Sequence, residues 1–153
     1  MAKYQFLDPL SSEEFAALET DIKQHGVKVP VEFDDEGNIL DGHYRVEIAN
    51  RHKLDYPKIV RQFATELEKQ EHSIKLNLLR RHLEPWRWGR AFKQLLEVRG
   101  VKRGKGGDRK STATVAVDTV AETAGELGVS DRTARHRLAL ADVFEAELSA
   151  AEQ

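Results

Sequence analysis

Residues 37–52, GNILDGHYRVEIANRH, carry an apolar strand into a helix through Asp41 and Gly42, and the reading of that junction decides the fold. A strand that ends in Asp-Gly and passes directly into a helix leaves several backbone amides unpaired. It also turns the positive helix end toward whatever sits there. The junction is therefore either a tight turn or a site for something negatively charged. Arg45 bears on the choice, because the residues sharing its helix face, Ile48, Ala49 and His52, are mostly apolar. A charge on a buried face requires a partner. Asp41, four residues earlier, offers a structural ion pair; an anionic ligand is the alternative.

Working outward, the Ser11-Ser12-Glu13-Glu14 start predicts a helix with a hydroxyl cap and carboxylates at its positive end. Phe15, Leu18 and Ile22 recur at helical spacing and Gly26 closes it. VKVPVEF (27–33) reads as a strand in which Pro30 marks an edge or a start, DDEGN (34–38) as a turn, and ILD (39–41) as a second strand. HYRVEIANRH (43–52) is the helix after the junction, and KIVRQF (58–63) a third strand. Two helical runs follow, 64–83 and 84–100, the second opening on Pro85, where a first turn tolerates proline. The expected organisation is an α+β module over 1–65, a helical connector over 66–99, a basic glycine-rich loop over 100–112 and an all-α module over 113–153.

The totals narrow the class. At 153 residues, 40% hydrophobic and 33% charged, the chain has the composition of a folded globular protein. No run approaches a membrane span, and MAKYQFLDPLSSEEF lacks a basic-then-apolar leader, so a cytoplasmic location without membrane contact is expected. Zero cysteines exclude disulfides, thiol catalysis and cysteine-based zinc, and the six histidines lack ligand-pair spacing. The net charge of −2 conceals an asymmetry: Arg80 to Lys110 hold eleven Lys or Arg against Glu84, Glu97 and Asp108, a local +8 that leaves −10 elsewhere. Such a basic middle suits a polyanion, or a solvated helix face. Within it, GVKRGKGGDRK (100–110) places Lys102, Arg103, Lys105, Arg109 and Lys110 among four glycines, where they can reach phosphates.

VAETAGELGVSDRTARHRLALAD (120–142) has helix-turn-helix spacing. Ala121, Ala124 and Leu127 are expected to form the inner face of the first helix, Gly128 the turn and Ser130 the cap of the second. Ala134, Leu138 and Ala141 share one face of that second helix, leaving Asp131, Arg132, Arg135 and His136 outward. With Ser130 and Thr133 beside them, these side chains would meet a major groove, arginine being suited to guanine edges and phosphates. An ordinary helical hairpin with a solvated arginine face is the plainer reading. Asn77 poses a separate question, because Leu76, Leu78 and Leu79 surround a mediocre helix former whose amide, if buried, needs a partner. That partner is backbone, or Asn77 lines an anion site with Arg80 and Arg81.

Taken in order, HGVKVPVEFDDEGNILDGHYRVEIANRH (25–52), LNLLRRHLEPWRWGRAFKQLL (76–96) and TVAETAGELGVSDRTARHRL (119–138) resemble the ParB family of partition proteins and its phage and plasmid members, over roughly residues 5 to 142. GHYR is similar to the family's Gly-x-x-Arg box and NLLRRHLEP to its Glu-Asn-x-x-Arg box. The resemblance implies a ParB/sulfiredoxin-like module ahead of the helix-turn-helix, and binding of CTP with magnesium. It would place Asp41, Gly42, His43, Tyr44, Arg45, Asn77, Arg80 and Arg81 around the nucleotide, with Asn77 near the magnesium. Leu76 stands where the second box has Glu, which argues against hydrolysis. The arginine usual near FLDPLSSEEF is absent, as are the sulfiredoxin cysteine and the C-terminal dimerisation domain of chromosomal members, so a full sliding clamp is not expected and homodimerisation is left open.

The leading expectation is thus a DNA-binding protein of partition or transcription-regulator type with a nucleotide-binding module. The competing one is a small phosphotransferase of the same fold, in which Asp41 and His43 hold metal and phosphate and Asp34, Asp35 or Glu36 acts as base. A metabolite kinase needs neither the basic loop nor the helix-turn-helix, which favours DNA.

Overall fold

The computed structural model describes residues 3–6, 9–79, 83–101 and 120–151. Its elements are α1 (Ser12–His25), β1 (Val31–Asp34), β2 (Ile39–Asp41), α2 (His43–His52), β3 (Lys58–Arg61), α3 (Glu66–Leu78), α4 (Pro85–Val98), α5 (Val120–Glu126) and α6 (Asp131–Ala151), an α+β set. They divide into two compact units, Met1–Leu76 and Asn77–Gln153. The two helices expected as one connector are therefore split, α3 belonging almost wholly to the first unit and α4 to the second.

In the first unit, Ser11 caps α1 in a reciprocal box: its hydroxyl accepts from the Glu14 amide while the Glu14 carboxylate accepts from the Ser11 amide. Ile22 buries with Val27, Ile48 and Ala49, and Phe15, Leu18, Leu54 and Tyr56 pack around them, which sets α1 against α2. The strand predicted over 27–33 begins only at Val31, directly after Pro30, which has no amide to give a ladder. The three-stranded sheet runs β2-β1-β3, with β1 antiparallel to β2 and parallel to β3. Glu32 faces Asp41 but Phe33 faces Ile39, so Leu40 is an extra residue in β2 and a bulge precedes the junction.

Asp34 ties this unit together. Fully buried at the end of β1, it accepts from the Glu36 and Asn38 amides, from the Asn38 side chain and from the Lys69 ammonium of α3. Lys69, also buried, reaches Glu36 at 2.9 Å as well, so α3 is fastened to the β1–β2 turn. Burial opposes ionisation of Asp34, but the hydrogen bonds from Asn38 and Lys69 prevail and hold its carboxyl down at about 2.

In the second unit, α4 buries Trp88, Gly89, Ala91, Phe92, Leu95 and Leu96 on one stripe. Its partner α6 contributes Ala134, Leu138 and Ala141. Gly89 sits where the two backbones meet: a Cβ there would collide with the Arg137 carbonyl and touch Ala141. Around that crossing Trp86 stacks on Phe144 with centroids 3.8 Å apart, the Arg137 guanidinium lies over Trp88, and Lys93 binds Glu145 at 2.7 Å and Asp142 at 3.3 Å. Arg99, at the end of α4, grips Glu126 of α5 through two nitrogens at 3.1 and 2.8 Å. The inner residues of α5 are Val120, Thr123 and Ala124. Ala121 is exposed, against expectation, because a seven-residue helix entering at Val120 turns its neighbour outward.

Two outcomes test this packing. Gly89→Ala should lower stability by roughly 2–3 kcal/mol, since neither backbone can retreat from the added methyl; urea unfolding with an unchanged midpoint would show that the crossing is loose. Asp34 titrates lower in the folded chain than unfolded, so its contribution is complete above the usual carboxylate pKa of about 4 and is lost as pH falls toward 2. Asp34→Asn should remove that part of the acid dependence, read as unfolding free energy against pH.

Candidate functional site

The sequence brings Asp41, Gly42, His43 and Arg45 together at the end of β2 and the start of α2, and the structure explains their spacing. Gly42 is the N-cap of α2, with φ 98° and ψ 24°, a left-handed conformation that suits glycine. Arg45 lies one turn on, and its side chain folds back over Gly42. A Cβ on residue 42 would stand 2.8 Å from Arg45 Nη2 and 3.0 Å from Nε, so the guanidinium fills the space a side chain would take. The Gly-x-x-Arg pattern is thus a steric pairing. Glycine is required by its dihedral angles and again by the arginine above it.

Arg45 Nη2 donates to Asp41 Oδ2 at 2.9 Å and to the Pro30 carbonyl at 3.3 Å. The structural ion pair considered from the sequence is therefore present, with the two side chains 18% and 17% exposed. The Pro30 contact, fifteen residues away, had no sequence signal. Arg45 Nε is buried without a hydrogen-bond partner. Gly42 gives α2 no side-chain cap and no acid stands in its first turn, so Asp41, directly before the cap, is the acid nearest the positive helix end. Burial pushes the His43 imidazole below its usual pKa, against the pull of Asp41 and a hydrogen bond to the Ile39 backbone. The ring is accordingly neutral near pH 7.

The other expected nucleotide residues are placed differently. The Tyr44 hydroxyl accepts from the Leu10 amide at 3.1 Å and from Gln5 Nε2 at 3.0 Å, and its ring meets Phe15 edge-on. It acts as a strut between α2 and the N-terminal segment. Asn77 is buried in the last turn of α3 and has a partner. Arg80 and Arg81 lie outside the described residues. Of the bases considered for phosphoryl transfer, Asp34 is committed to four donors and stays ionised far into acid, which makes it a weak base. Among the described residues no group of three His, Asp or Glu side chains is placed to hold a metal ion.

In the second unit, Lys102, Arg103, Lys105, Arg109 and Lys110 lie outside the described residues. The helix-turn-helix elements stand as α5, a turn through Gly128, and α6. The Ser130 hydroxyl accepts from the Thr133 amide at 3.2 Å and lies 2.9 Å from the Thr133 hydroxyl, which caps α6 as expected. Arg132, Arg135 and His136 are exposed on the side away from Ala134 and Leu138. The Arg132 and His136 side chains have no hydrogen-bond or ion-pair partner among the described residues. Arg135 pairs with Asp131 at 2.9 and 3.0 Å, an exposed contact worth little in water. No helix among the described residues is long and apolar enough to cross a membrane.

No family model matches the chain. Over 67 residues it is 36% identical to an uncharacterized protein, ORF326b, of Acidianus two-tailed virus, a match covering 43% of this chain and 21% of that protein. The chain thus spans about a fifth of that curated relative. Among solved structures, the C-terminally truncated chromosome-partitioning protein ParB from Caulobacter crescentus, complexed to the centromeric parS site, aligns over 95% of this chain and 71% of its own. Identity is 19% and the TM-score 0.55. The same truncated protein complexed with CTP-gamma-S aligns over 86% and 67%, at 20% identity and a TM-score of 0.43. The likeness to the parS-bound structure, covering nearly the whole chain, shows that this protein has a ParB-like fold.

Proposed function

We propose that the chain is a DNA-binding protein of partition or transcription-regulator type, which reads a DNA site through the first turns of α6 and binds a nucleotide at the β2–α2 corner. The observation that carries the first part is the outward row on α6. Ser130 caps the helix, Arg132 and His136 are uncommitted among the described residues, and Arg135 is held only by an exposed carboxylate. Those side chains suit guanine edges and phosphates in a major groove. Lys102, Arg103, Lys105, Arg109 and Lys110 would add backbone contacts that hold the module on DNA without reading sequence.

For the nucleotide, the corner offers the uncapped start of α2, a glycine that admits close approach, and the Arg45 guanidinium. The chemistry fits a triphosphate, and the resemblance of the two boxes makes it CTP with magnesium. Leu76 provides no carboxylate, so the cation would be held chiefly by the phosphates, and binding without hydrolysis is the expected mode. The sequence pattern adds Asn77, Arg80 and Arg81 to this proposal.

Selection of duplexes from a random DNA pool tests the reading helix. Wild type should enrich a defined site, and the double variant Arg132→Glu, Arg135→Glu, with its fold checked by circular dichroism, should bind that site roughly a hundredfold more weakly, as expected for two lost base or phosphate contacts. Retained site-specific binding by the double variant would remove α6 from the interface.

A further inference from the structure

We infer that Asp41 is a latch on Arg45: its carboxylate holds the guanidinium at the end of β2, and the phosphates of an incoming nucleotide must displace it. The inference rests on the reading of the β2–α2 corner as a nucleotide site, and concerns what sets its affinity. The sequence offered Asp41 either as a structural partner of Arg45 or as a ligand of metal and phosphate. The latch makes it a competitor of the ligand.

Three observations point the same way. The Nη2 contacts of Arg45 go to Asp41 and the Pro30 carbonyl, while Nε is buried and unsatisfied. A buried donor without an acceptor is unfavourable, so this resting pose of the guanidinium is not its best-bonded one. Second, the pair is partly covered, 18% and 17% exposed, which makes it strong enough to persist without ligand yet open to an approaching anion. Third, the Asp41 carboxylate stands immediately before the positive end of α2, where an anion would otherwise be favoured. It therefore opposes a phosphate twice, by occupying the arginine and by its own charge. The guanidinium lies over a residue with no side chain, and among the described residues its hydrogen bonds to break are those to Asp41 and Pro30.

Calorimetric titration of wild type, Asp41→Asn and Asp41→Glu with cytidine mono-, di- and triphosphate in magnesium tests the latch. Asp41→Asn should bind the triphosphate roughly fivefold more tightly, as for loss of one partly screened charge pair, with a smaller gain for the diphosphate and the least for the monophosphate. Asp41→Glu, which keeps the charge, should stay near wild type. A merely structural role would give no gain, and a role as metal or phosphate ligand would give a loss; either result overturns the latch while wild-type binding leaves the nucleotide reading intact. If neither wild type nor Asp41→Asn binds any of the three, the nucleotide reading falls and the latch with it. Should Asp41→Asn fail to fold, the Arg45 Nε–H nuclear magnetic resonance signal of wild type decides: it should move on saturation with the triphosphate, and a stationary signal overturns the proposal.

Discussion

The guanidinium of Arg45, laid over Gly42 and bonded to Asp41 and the Pro30 carbonyl, joins the approach to β1, the end of β2 and the start of α2 in one contact. Much of the first unit is arranged to make it possible. The extra residue at Leu40 turns the end of β2, the left-handed Gly42 starts the helix without a cap, and Ile48 and Ala49 anchor α2 against α1 through Ile22 and Val27. Behind the strands, Ser73 of α3 lies within hydrogen-bond distance of the Leu40 carbonyl at 2.6 Å and of the Tyr4 carbonyl at 3.0 Å. Asp34 and Lys69 hold the turn that β1 and β2 share. A corner supported from so many sides keeps an arginine close to a helix N-terminus, where both would favour an anion.

The second unit answers a different requirement. A helix with the DNA-reading role proposed for α6 must be held rigidly while one face stays empty, and α6 makes its close contact with α4 on the opposite face. Gly89 lets the backbones touch, Trp86 and Phe144 stack beside the crossing, and Lys93 bridges to Asp142 and Glu145. Arg99 fixes α5 through Glu126. The charged residues near the N-terminus of α6 are thereby left to solvent.

The sequence made local features legible because they have local causes. The Ser11 cap, the Asp-Gly junction, Pro85 at the start of α4 and Ser130 at the start of α6 each arise within four residues, and the structure shows each of them. The i,i+4 pair of Asp41 with Arg45 was legible on the same ground. Contacts between distant segments left no such trace: Pro30 with Arg45, Lys69 with Asp34, and Gly89 with Arg137 depend on register and crossing angle. Tyr44 shows the opposite case. Its place in the box suggested a ligand contact, whereas its hydroxyl is taken by Gln5 and Leu10, residues whose position no local pattern foretold.

The claim at the centre is that the Gly42–Arg45 corner is an anion site rather than a turn stiffened by an ion pair. Amide chemical-shift mapping of wild type and Arg45→Ala with each of the four ribonucleoside triphosphates, in magnesium and with and without bulk DNA, tests it most directly. Shifts centred on Gly42, His43 and Arg45 in wild type, lost in a folded Arg45→Ala, are the expected result. A wild-type spectrum that no triphosphate disturbs at millimolar concentration, or that shifts only elsewhere, would contradict it.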